Sequence, residues 1–136
     1  MGRRKEGCNP GFEQTSTHPL REAEFVAGVL HLRPVARIIR HHHERFDGTG
    51  YPDALGGQDI PLGARVLAVA SAFYAMTADP PYGKGTPAEA ALAQLGSCAG
   101  TEFDPRVVEA LLNATKQNEA RSLLSMERSP GCKANG

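Results

Sequence analysis

The chain is 136 residues long, enough for a single hydrophobic core, and 40% of it is apolar. Its 15 basic residues balance 15 acidic ones, so no broad field draws it to a nucleic acid polymer or to an anionic membrane surface. A phosphate-bearing ligand therefore has to be held by local groups. The longest apolar run, Val66 to Met76, is too short to span a bilayer and contains Ser71. No apolar segment follows Arg3, Arg4 and Lys5, so no signal peptide is expected. Cys8, Cys98 and Cys132 stand far apart with no CxxC, which reads as reduced thiols in a cytoplasmic protein.

In chain order, residues 1–16 mix charge with Gly, Asn, Pro, Gln and Thr and read as a flexible arm. Thr17-His18-Pro19 has proline where a helix begins, and Phe25, Val26, Val29 and Leu30 follow at helical spacing until Arg33-Pro34 breaks the run. A second helix starts near Pro34 and carries Val35, Ile38 and Ile39 on one face. From Phe46 to Pro61 the glycines and prolines predict an ordered loop. Pro61 opens a third, strongly apolar helix that ends at Pro80-Pro81. Thr86-Pro87-Ala88-Glu89 reads as a capping box for a fourth helix, closed by Gly100. Asp104-Pro105 starts a fifth, with Asp104 as its N-cap.

Beyond Lys116 the pattern turns polar, with room for one short helix around Leu123, Leu124 and Met126. The expectation is an all-α bundle of about five helices over residues 17–115, followed by a polar tail from 116 to 136. Arg65 and Glu44 are the expected structural ion pair.

Extending the stripe of the second helix from Val35 through Ile38 and Ile39 reaches His42 and His43, which places these two on the buried face and His41 toward solvent. Adjacent helical positions diverge by about a hundred degrees, so a neighbouring pair suits two metal ions better than one tetrahedral ion. Two readings of the pair stay open: histidines hydrogen-bonded to carbonyls or carboxylates in the core, or ligands to a metal whose identity (Fe, Mn, Zn or Ni) imidazole alone does not fix.

The run His42-His43-Glu44 through Asp47-Gly48-Thr49-Gly50-Tyr51-Pro52 resembles the HHE-x-x-DGTGYP signature of HD-GYP domains, the cyclic di-GMP phosphodiesterases of the HD superfamily. Ile60-Pro61-Leu62 with Ala64-Arg65, then Thr77, Asp79 and Tyr82, then Gly100-Thr101 with Phe103-Asp104-Pro105, continue the likeness, and His18-Pro19 precedes it. The resemblance covers residues 17–113 and implies a truncated HD-domain bundle with a glycine-rich GYP loop. It implies metal ligands at His18, His42 and His43, a divalent transition metal weakly bound, and a substrate-bordering loop at Tyr51. It also implies a cyclic dinucleotide ligand and signalling partners such as a GGDEF domain.

Three departures from the family pattern stand out. None of the histidines is followed by Asp, so the His-Asp doublet that names the family is absent, along with the helices that carry it. Where the third helix should offer an Asp ligand the chain reads Val69-Ala70-Ser71, and a neutral hydroxyl is a poor hard-metal ligand. The phosphate-holding arginine segment reads Asp79-Pro80-Pro81-Tyr82-Gly83, leaving Lys84 as the nearby cation. These losses point to a non-catalytic signalling or partner-binding module. The intact histidine pair keeps open an active phosphodiesterase, alone or completed by a partner, and a truncated remnant without selected activity is the third reading. Helices left uncovered imply a homodimer.

Overall fold

The computed structural model describes residues 18–28 and 30–127. Five α-helices run in order: α1 (His18–Ala27), α2 (Arg33–His41), α3 (Leu62–Thr77), α4 (Ala88–Ser97) and α5 (Pro105–Glu127). Single 3-10 turns precede α2 (Leu30–Leu32) and α3 (Gly57–Asp59). Among the described residues the only extended pairing is an isolated bridge between Ala99 and Phe103. The expected all-α architecture is what forms. No helix among the described residues is long and apolar enough to cross a membrane.

The main core lies where α3, α4 and α5 meet. Val69, Ala72 and Met76 of α3 pack with Ala91 and Leu95 of α4, and Cys98, Phe103 and Val108 close the cluster. Burying the larger of these side chains, the valines, Leu95, Met76 and Phe103, contributes about 1.5–3 kcal/mol each, so this cluster is the platform on which the rest is mounted. Helix α2 docks on α3 through a close approach: a Cβ at Gly63 would run into the Ile38 side chain. Helix α1 packs mainly against α2.

Several details depart from the sequence expectations. Helix α5 runs unbroken through Lys116 to Glu127, because its interior contains no Gly or Pro to stop it. Phe25 of α1 is exposed, while Pro19 and Ala23, one turn apart, are the buried residues of that helix. Along α3, Val69 is buried while Val66 remains half-exposed.

The Thr86–Glu89 capping box does not form: Pro87 is the N-cap and no side chain caps the helix. Thr86 instead donates its N–H to the Met76 carbonyl, and the Asp79 carboxylate accepts the Gly85 N–H, so the 78–87 connection is stitched to the end of α3. Cys98 is disulfide-bonded, which corrects the expectation of a reduced thiol there; Cys8 and Cys132 lie outside the described residues.

Candidate functional site

Helix α2 ends at His41. His42 still has helical angles as the C-cap (φ −72, ψ −11), and the Glu44 N–H closes a tight turn on the His41 carbonyl. The two residues expected to continue the helical stripe therefore sit in a turn, and the face assignment has to be corrected. Ala36 and His41 are the buried residues of α2, Val35 is exposed, and His42 and His43 are half-buried. The error begins inside the helix, since Val35, taken as the start of the buried stripe, is itself exposed.

The turn nonetheless brings the histidine pair together. The His42 and His43 ring centroids are 3.9 Å apart, and His43 stacks on Tyr51 at 5.4 Å. His42 Nδ1 lies 2.6 Å from the Ile39 carbonyl oxygen. That contact needs the proton on Nδ1, which leaves Nε2 as the nitrogen able to ligate a metal, the usual division of labour in metal-binding histidines. His42 lines a groove of about 650 Å³ between α1, α2 and α3 with Phe25, Ile39, Leu67, Ser71 and Glu22. Ser71 thus lines the same groove as His42. Burial raises the phenol pKa of Tyr51, so the ring stays neutral in the ordinary pH range.

Two sets of bonds hold the glycine-rich loop in place. Nearest α2, the fully buried Glu44 carboxylate accepts the Asp53 N–H (2.8 Å) and the Leu55 N–H (3.1 Å). Arg40 grips both oxygens of Asp53 at 2.9 Å and holds that carboxyl below its ordinary pKa. On the far side, Phe46 and Asp47 donate their N–H groups to the carbonyls of Glu102 and Thr101. Arg45 reaches Glu102 at 2.7 Å. Within the loop Asp47 accepts from the Thr49 N–H and hydroxyl, which is turn chemistry. Gly48 has φ +80, and a Cβ at Gly50 would collide with the backbone of Glu44 and Arg45.

The expected Arg65–Glu44 pair does not form. Glu44 is committed to the loop, and Arg65 bonds Asp104 at 2.6 Å and the Ile60 carbonyl at 2.9 Å. Asp104 also accepts the Arg106 N–H, so it caps α5 as expected.

A family model for the HD domain matches residues 3–107. The chain is 44% identical over 104 residues to the cyclic di-GMP phosphodiesterase response regulator RpfG of Xanthomonas campestris, covering 75% of this chain and 28% of that protein. This is an HD-domain protein of the HD-GYP type. It is also 36% identical over 123 residues to the cyclic di-GMP phosphodiesterase PA4108 of Pseudomonas aeruginosa, covering 88% of this chain and 29% of that one. The crystal structure of the cyclic GMP-AMP-specific phosphodiesterase V-cGAP3 of Vibrio cholerae superimposes with a TM-score of 0.65 at 26% identity, over 74% of this chain and 23% of that one. The chain therefore spans less than a third of the length of these relatives.

Of the residues singled out in the sequence of this HD-GYP-type chain, His42, His43 and Tyr51 form one stack. His18 heads α1, and its side chain lies outside the described residues. Lys84 is exposed in the 78–87 connection and is not among the residues lining the His42–Ser71 groove.

Sequence reasoning missed a second cluster. His41, Glu44 and Asp53 each offer a ligand atom within 4.8 Å of the others. His41 Nδ1 lies 3.5 Å from Glu44 and 3.6 Å from Asp53. No spacing rule would have joined Asp53 to His41, because the loop fold alone sets that contact.

Proposed function

We propose that this HD-GYP-type chain is a ligand-binding module of cyclic dinucleotide signalling that does not turn its ligand over at an enzyme's rate. The observation that carries the reading is Ser71 facing the groove beside His42. The resemblance calls for an acidic metal ligand there, and a hydroxyl supplies neither its charge nor its affinity. The relatives' names supply the ligand class, a cyclic dinucleotide.

A neighbouring histidine pair by itself suits two ions, but with Ser71 where a carboxylate is called for the remaining ligands suffice for one. His42 has its Nδ1 proton committed to a carbonyl, as a ligating histidine requires. His43 is packed against it, and by resemblance His18 is the third imidazole; three imidazoles suffice for an open site. When bound, a divalent ion would supply Lewis acidity toward a phosphate oxygen. The chain's own contribution is to hold the imidazole pair, to wall it with apolar residues, and to keep Tyr51 at its edge.

The test is to incubate the purified chain with cyclic di-GMP in Mn²⁺ or in Fe²⁺ kept reduced. We expect no linear dinucleotide or GMP above the metal-only background. Steady turnover, abolished by a chelator and by His43→Ala, overturns the reading. Ser71→Asp should bind Mn²⁺ at least ten-fold more tightly than the parent chain by calorimetry, and an unchanged affinity would mean that this position does not face the ion.

A further inference from the structure

The cluster His41–Glu44–Asp53 has the composition of a metal site, and its hydrogen bonds argue against that use. Glu44 Oε1 accepts the Asp53 N–H, Oε2 accepts the Leu55 N–H, and each oxygen of Asp53 is taken by one nitrogen of Arg40. All four carboxylate oxygens already have a donor. A cation entering here would have to displace two backbone amides and sit beside a guanidinium.

We propose that Glu44 is a positioning residue: its buried carboxylate latches the 53–55 backbone onto the end of α2 and thereby presents the Tyr51 ring to His43. The geometry is direct. Glu44 follows His43 in sequence, while Asp53 and Leu55 lie just beyond Tyr51-Pro52, so the two bonds fix the loop's return on the residue next to the histidine. Gly50 lets the backbone pass against Glu44 and Arg45, where a Cβ would not fit. Arg40 secures Asp53 from outside, and buried His41 fills the space between the two carboxylates. The carboxylate is needed because it alone offers two acceptors to two backbone donors; an amide offers one acceptor and turns donors toward the other N–H. The functional value of the latch rests on reading the His42–His43 end as the ligand end. Its test uses metal-free protein, so the two fail separately.

The experiment is NMR on the metal-free chain. Glu44→Gln should remove the nuclear Overhauser contacts between the Tyr51 and His43 rings. It should also speed exchange of the Asp53 or Leu55 amide at least ten-fold, while amides of Val69 to Met76 stay as protected as before. Arg40→Gln, a partly exposed change that spares the core, should produce the same loss in weaker form and carries the test if the Glu44 variant does not fold. Persistence of the ring contacts in both variants overturns the proposal. So does a Zn²⁺ titration in which His41→Ala abolishes binding and His42→Ala does not, since the cluster would then be a metal site.

Discussion

Each oxygen of Asp104 has its own donor, Arg65 on one and the Arg106 N–H on the other. Burial alone would raise its carboxyl pKa; the Arg65 bond and the α5 amides outweigh that and hold it below its ordinary value. The unfolded chain then takes up the proton first as pH falls. The group's stabilisation is fully present above the ordinary carboxylate pKa of about 3.9 and is lost as pH drops through the lower native value. Replacing Asp104 by Asn leaves the partly buried Arg65 without its anion, which costs about 2 kcal/mol at neutral pH. Urea unfolding at pH 7 should show that loss, and at pH 3 the gap between parent and variant should narrow. An equal gap at both values would mean that the pair's charge contributes nothing.

The elements were largely legible before the structure: the helix starts at Pro19, Pro34, Pro61 and Pro105 all fall within a residue or two of where helices begin. Legibility failed at the choice of face. Val35 and His41 both belong to α2, yet Val35 is exposed and His41 buried, so a stripe started from Val35 was rotated from the outset, and His42 and His43 then lie beyond the last helical residue. Glu44 was legible as a motif residue but not as a latch, because its partners are backbone amides that leave no trace in side-chain spacing. The loop makes its own prediction at this scale. Gly50→Ala forces a Cβ into the Glu44 and Arg45 backbone and should cost about 1–3 kcal/mol, as overpacking usually does. Thermal unfolding measures it, and a neutral outcome would show that the loop can shift without penalty.

For the molecule as a whole, exposed apolar side chains are spread over several elements of the described residues, Phe25, Val35 and Tyr74 among them, and two groups of them involve α5. Leu123, Leu124 and Met126 stand exposed at the far end of α5. A groove of about 590 Å³ between α3 and α5, lined by Leu62, Val66, Val107, Ala110 and Leu111, stands at its near end. We propose a homodimer in which the α5 end of each copy fills the other's groove, a two-fold arrangement that covers both surfaces and closes. About 800 Å² per partner is the size of a stable interface. Sedimentation at micromolar concentration should show a dimer, and Leu124→Glu should return it to monomer with the helix content unchanged. A parent chain that sediments as a monomer removes the idea.

The bonds from Phe46 and Asp47 to Thr101 and Glu102 cross more than fifty residues of sequence, with Arg45 and Glu102 separated by 57. The signature loop is thus closed by a segment that the ribosome delivers much later. Loop-closure entropy has to be met before such contacts yield anything, so the motif should be among the last parts of the chain to acquire its shape. Competence to bind then becomes a report on completed folding: a chain whose α4–α5 junction is damaged, however far from the histidines, would reach the cell with its recognition end unformed.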